Sequence, residues 1–188
     1  MNTLSEIAAI IKKYPAWVLV GHVIPDGDCI GSLLGLFWGL NSLGKRVVLG
    51  LEDPVPPIYN YLPGSDRLRP LPSDDDLPDA VIFLDCSDEE RAGELVQGRL
   101  HQRSVTINID HHLGNSLFGD YNYVNPEAAA TAEIIYELLH IMQAPITEDV
   151  ANCLYAGIIM DTGTSESCRF LCMAPEQHLQ HEAHGIAW

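Results

Sequence analysis

Apolar residues change their spacing repeatedly along the 188-residue chain, and each change marks an element. Leu4, Ile7, Ala8 and Ile11 recur at helical intervals, with Thr3 or Ser5 as a cap and Tyr14-Pro15 as a stop. Trp17-Val-Leu-Val20 is a short continuous apolar run, as expected of a strand covered on both faces. Gly21 to Asp28 reads as a loop. Cys29 to Leu43 reads as a buried helix of small and apolar residues, ended by Gly44. Arg46-Val-Val-Leu-Gly50 is a second strand. Residues 52–72 are dense in Pro and Gly, with a short helix expected at Pro57–Tyr61. A third strand covers Ala80–Leu84, a helix Glu89–Arg99, and a fourth strand Ser104–Ile109. A loop over Leu113–Pro126 leads to a strong helix, Ala128–Met142, with Ile134, Ile135, Leu138 and Leu139 inward. Thr147 opens the last helix, with Glu148 and Asp149 at its positive end, and it runs through Leu154 and Ile158 towards Met160.

Strands alternating with helices predict an α/β fold, a mostly parallel sheet flanked by helices. In such sheets ligands bind beyond the carboxyl ends of the strands. The 47% apolar content suffices for one domain with a substantial core. Charge changes the picture of partners: 26 acids against 10 bases leave a net charge of −16, which repels long duplex DNA. A small phosphorylated ligand stays compatible, because a bound metal reverses the local field. No window reaches the roughly 18 apolar residues of a membrane span, and the N-terminus lacks the pattern of a signal peptide. Five scattered cysteines, at 29, 86, 153, 168 and 172, read as reduced thiols of a cytoplasmic protein. Ser73-Asp74-Asp75-Asp76 reads as a solvated surface run.

Candidate chemistry sits where apolar runs end. His22, Asp26 and Asp28 share one tight turn made sharp by Pro25 and Gly27. The spacing lets His22 and Asp26 converge on one cation while Asp28 reaches a neighbour; the bland alternative is that both acids cap the next helix. Asp85 follows the third strand, and its two oxygens could span two metals, or it is an ordinary solvated acid. Asp110-His111-His112 follows the fourth strand. Neighbours in extended chain point to opposite sides, so one histidine can ligate metal while the other faces substrate. Asp110 can orient an imidazole or ligate directly. Asp161 precedes Thr162-Gly163 and is otherwise a helix-end acid. Together the four clusters point to a cation site, and more readily to two cations, since buried acids and imidazoles need partners.

Gly21-His22-x-x-Pro25-Asp26-x-Asp28-x-x-Gly31-Ser32, the strand into Asp85, Asp110-His111-His112 and Gly157-x-x-x-Asp161-Thr162-Gly163 resemble the ordered motifs of the DHH phosphoesterase family. Asp53-Pro-Val-Pro-Pro57, Tyr61-Leu-Pro-Gly64 and Thr131–Leu139 resemble its nano-RNase/pAp-phosphatase branch (pAp is 3′-phosphoadenosine 5′-phosphate). The resemblance implies a centre of two manganese ions. His22, Asp26 and Asp85 would hold one ion; Asp28, Asp85, His111 and Asp161 the second. Asp85, shared by both, and His112, on the phosphate, would be the catalytic pair. It also implies hydrolysis of pAp or very short oligonucleotides and leaves a homodimer open. A ligand set of imidazole and carboxylate without thiolate independently suits manganese over structural zinc.

The resemblance covers roughly Leu4 to Gly163, giving an expected catalytic domain over residues 1–163. Residues 164–188, with His178, His181 and His184, form an atypical tail. The C-terminal substrate-binding domain usual in the family is expected to be absent. Two further readings stay open: another hydrolase of the family, acting on cyclic dinucleotides or pyrophosphate, and a non-catalytic remnant that binds metal or nucleotide.

Overall fold

The computed structural model describes residues 1–72, 76–94, 99–100 and 103–163. The acidic run at 73–75 and the atypical tail at 164–188, including Cys168 and Cys172, lie outside the described residues.

Helix α1 (Leu4–Lys13) opens with a reciprocal capping box between Thr3 and Glu6 and buries the predicted stripe Leu4, Ile7, Ala8 and Ile11. Strand β1 (Ala16–Val20) leads into helix α2 (Gly27–Ser42), then β2 (Arg46–Gly50). Strands β3 (Ala80–Leu84), β4 (Val105–Asp110) and β5 (Tyr121–Val124) follow, then helices α3 (Thr131–Met142) and α4 (Glu148–Thr162). All five strands are parallel, in the order β2-β1-β3-β4-β5. The mostly parallel α/β fold expected from the alternation is therefore the observed one.

The apolar strands use a period of two even though both faces are covered. Trp17, Leu19, Ile82, Leu84, Ile107 and Ile109 face the core built with helices α1, α2, α3 and α4. Val18, Val20, Val81 and Phe83 face a smaller cluster closed by Leu71, Leu77, Ala92 and Leu100. Among the described residues no helix is long and apolar enough to cross a membrane.

Three expectations need correction. The loop predicted over 113–126 contains strand β5, which pairs in parallel with β4. It escapes notice because it is an edge strand in which only Val124 is buried, so no apolar run announces it. The helix predicted over Glu89–Arg99 does not form as one element. A 3-10 turn covers Glu89–Ala92, and Gly93, at φ +94, breaks it; Glu94 and Arg99 are helical as expected, and residues 95–98 lie outside the described ones. The helix predicted from Ala128 begins at Thr131.

The strand order positions the site. Chain direction across the sheet reverses between β1 and β3, and such a switch point opens a crevice at the carboxyl edge. β1, β3 and β4 are neighbours there, so the residues that follow them meet.

Candidate metal centre

His22 leaves β1 into a tight loop. Its Nδ1 lies 2.8 Å from the Val23 carbonyl, which can only accept, so Nδ1 carries the hydrogen and a neutral ring presents a bare Nε2. That Nε2 faces two carboxylates: Asp26 Oδ1 at 3.7 Å and Asp85 Oδ2 at 3.4 Å. The loop is strained. Ile24, β-branched and largely exposed, has φ +54. The Asp53 carboxylate accepts its N–H at 2.8 Å, and the Arg91 carbonyl accepts that of Val23 at 2.7 Å.

Asp26 performs both roles considered for it. Its Oδ1 accepts the N–H groups of Asp28 and Cys29, capping α2, while it also borders His22. Asp28 does not cap α2. Its fully buried carboxylate instead accepts the first N–H groups of α3, Thr131 on Oδ2 at 2.6 Å and Ala132 on Oδ1 at 2.9 Å, and the Ser32 hydroxyl at 3.2 Å.

Asp85 turns out of β3 in the left-handed region at φ +58. Its Oδ2 faces His22, and its Oδ1 lies 3.7 Å from both His111 Nε2 and His112 Nδ1. The two histidines do not point to opposite sides as extended neighbours would: their rings meet edge to face with centroids 4.8 Å apart and share Asp85 Oδ1, and they differ only in their other partners. His111 Nε2 points to Asp28 Oδ2 at 3.7 Å and Asp161 Oδ2 at 3.2 Å. His112, half exposed, gives its Nδ1 to Asp110 at 2.7 Å. Asp110 is fully buried and is held in turn by Asn115, whose amide also reaches Asn108 and the Cys86 carbonyl. Asp161 lies in the last turn of α4, before the left-handed Gly163. A carboxylate is disfavoured at that negative helix end unless a cation offsets it.

The seven expected site residues thus meet in three overlapping groups: His22, Asp26 and Asp85; Asp28, His111 and Asp161; Asp85, His111 and His112. Within each, one donor atom per residue lies within 4.8 Å of every other. Separations of 3.2–3.7 Å are long for hydrogen bonds yet close to the ~3 Å between neighbouring donors on an octahedral ion with ~2.1 Å bonds. The donor chemistry fits a hard divalent cation. Cys29, Cys86 and Cys153 are free and buried, and burial pushes each thiol up, so among the described residues no thiolate competes.

Without a cation, protons hold the cluster together. Burial pulls His22 down, but Asp26 and Asp85 outweigh it and the net shift is well up. Burial also opposes His111, which Asp161, Asp28 and Asp85 nevertheless raise to about 9. Burial, then the neighbouring Asp85 charge, pushes Asp28 up to about 7. Asp110 raises His112. Asp28 and His111 therefore bind protons more tightly in the folded chain than at their ordinary values of 3.8 and 6.5. The cation-free protein is expected to lose stability as pH rises from about 4 to about 9, by a Tm fall on the order of 5 °C. A divalent cation that binds these groups in place of the protons is expected to raise Tm more at pH 8.5 than at pH 6. Thermal melts across that range, with and without the ion, check both; a Tm that climbs with pH in chelator contradicts the first.

Sequence reasoning missed Thr131 as a site residue, and with it Ser32, Asn108 and Asn115. Thr131 meets Asp28 and Asp85 across the fold, Ser32 reaches Asp28 from the next turn of α2, and Asn115 links Asn108 to Asp110; the one hint was Ser32 inside the apolar α2 and Asn108 inside the apolar β4.

Known proteins share this fold and sequence pattern. The exopolyphosphatase-related protein from Bacteroides fragilis superposes with a TM-score of 0.81 at 27% identity, covering 90% of this chain and 54% of that one. The bifunctional oligoribonuclease and PAP phosphatase NrnA of Thermus thermophilus is 35% identical over 90% of this chain and 50% of its own length. Its Bacillus subtilis namesake is 28% identical over 85% and 50%. The chain spans about half the length of the curated relatives it matches. The model of the DHH family, N-terminal domain, matches residues 17–158, so with its motifs gathered at the carboxyl edge of a parallel sheet, the chain belongs to the DHH family of phosphoesterases, close to the oligoribonuclease and PAP phosphatase branch.

Proposed function

We propose that this chain is a manganese-dependent phosphoesterase that hydrolyses pAp, very short oligonucleotides, or both, at a two-metal centre in the cytoplasm. The observation that carries this reading is Asp85, whose two oxygens face different histidines and so join two ligand groups. His22, Asp26 and Asp85 would hold one ion, and Asp28, Asp85, His111 and Asp161 the other. Five carboxylates, including Asp110, crowd the centre, a charge that two divalent ions nearly balance. When bound, such ions act as Lewis acids on a phosphoryl group and lower the pKa of water.

The remaining steps fall to the chain itself. The Val23 carbonyl fixes the His22 tautomer, so Nε2 is ready without rearrangement. Asp110 takes His112 Nδ1, which turns Nε2 outward and raises the proton affinity of the ring. His112 Nε2–H is then placed to donate to a phosphoryl oxygen or to a departing alkoxide. The catalytic unit in this reading is residues 1–163. The net charge of −16 favours small substrates whose phosphate is met by metal over long nucleic acids.

A second reading, cleavage of phosphoanhydrides, is favoured by the exopolyphosphatase-related structure. One assay separates these: the purified chain with pAp, a diribonucleotide and inorganic polyphosphate, each with manganese, magnesium or zinc. Release of phosphate from pAp or of mononucleotide from the dinucleotide, stopped by chelator and restored by manganese, is expected. Cleavage of polyphosphate alone moves the assignment to the second reading. Calorimetric binding of pAp without turnover of any substrate makes the protein a binding module.

A further inference from the structure

Helix α3 begins without a capping side chain. Ala130 occupies the N-cap position and offers no acceptor. The first N–H groups of a helix must nevertheless find partners, and an anion is favoured there. Asp28, more than a hundred residues earlier in the chain, supplies both acceptors: Oδ2 takes Thr131 N–H and Oδ1 takes Ala132 N–H. The side chain of Thr131 turns the other way. Its hydroxyl, fully buried, donates to Asp85 Oδ1 at 2.9 Å. One residue therefore holds two acids of the centre, one through its backbone and one through its side chain.

The hydroxyl acts at a sensitive point. Rotation of an aspartate about χ2 is soft and roughly two-fold, so a carboxylate that must face two directions needs something to fix it. Asp85 Oδ1 is the oxygen shared with His111 and His112, and Oδ2 the one turned to His22. A donor on Oδ1 selects that rotamer. The surrounding space allows no slack: a Cβ at Gly157 would stand 2.8 Å from Ala132 Cβ and 3.0 Å from Asp28 Oδ1.

We propose that Thr131 is a positioning residue for the metal centre, its hydroxyl orienting Asp85 while its backbone N–H orients Asp28. The inference rests on the reading of this cluster as a metal site. Partners that orient metal ligands typically contribute 10- to 100-fold in affinity.

The test is calorimetric titration of the purified chain with manganese, for wild type, Thr131→Val, Thr131→Ser and Thr131→Ala, with urea unfolding to establish that each is folded. Valine keeps the volume and removes the hydroxyl, alanine guards against a packing failure of valine, and serine keeps the donor. Loss of affinity by at least about 10-fold in the valine and alanine variants, with serine within about 3-fold of wild type, is expected. A hydroxyl that merely supports the fold would shift the urea midpoint and leave affinity unchanged. Valine and alanine variants that bind manganese like wild type, or a serine variant as weak as valine, overturn the inference. Wild-type protein that binds no manganese overturns the metal reading itself, a distinct result.

Discussion

Asp85→Ala is expected to abolish manganese-dependent hydrolysis, lowering kcat/KM by about 1000-fold or more, or about 4 kcal/mol of transition-state stabilisation. No other residue of the centre belongs to two of its ligand groups through different oxygens. Replacing Asp26 or Asp161 removes a ligand from one group; replacing Asp85 removes one from both. The substitution also leaves His22 and His111 without the shared negative charge between them, in a setting where burial already disfavours charged imidazole. Asp85→Asn refines the experiment. The amide keeps the volume and one acceptor for Thr131, but lacks the charge and the second anionic oxygen. It is expected to fold like wild type and still lose activity. Circular dichroism, manganese calorimetry and the pAp assay on both variants decide the matter. Full activity in a correctly folded Asp85→Ala protein would be fatal to the two-metal reading.

That prediction could be framed from sequence because acids and imidazoles ending apolar strands are visible in the text. The runs ahead of His22, Asp85 and Asp110 locate three strand ends, and parallel topology sends them to one edge. Less visible was which partner each acid serves. Sequence proximity offers Asp28 as a cap for α2, whereas it caps α3 across the fold. Capping at that distance leaves no local pattern, because the missing signal is an absent cap at Ala130. Thr131 is hidden in the same way: a threonine opening a helix is unremarkable until the hydroxyl is seen on Asp85. Asn108 is one polar residue inside the apolar β4, and only the fold shows its side-chain carbonyl oxygen accepting from Asn115, which secures Asp110. Local periodicity encodes where chains start and stop; it does not encode which buried hydrogen bonds close between them.

Gly31→Ala is expected to cost about 3 kcal/mol of stability and a Tm fall on the order of 10 °C. In a helix interior alanine should stabilise by about 1 kcal/mol relative to glycine, so the sign of the effect is itself informative. The reason for the reversal is what the methyl would meet. A Cβ at Gly31 overlaps the Cys153 carbonyl oxygen and stands 2.9 Å from Gly157 N, both backbone atoms of α4. Backbone in a packed helix cannot rotate aside, so α2 and α4 must separate. Gly39 provides the control on the same helix: its Cβ would meet Leu139 Cδ2 and Cδ1, the far end of a flexible side chain. Gly39→Ala should therefore cost markedly less. The separation carries a functional consequence, because α2 brings Asp28 in its first turn and α4 brings Asp161 in its last. Moving the helices apart opens the Asp28, His111 and Asp161 group, and manganese affinity should fall by about 10-fold or more even in the folded fraction. Urea unfolding of both variants with manganese calorimetry at a temperature where each is folded provides the check. If Gly31→Ala proves no less stable than Gly39→Ala, the close α2–α4 crossing does not set the spacing of the site.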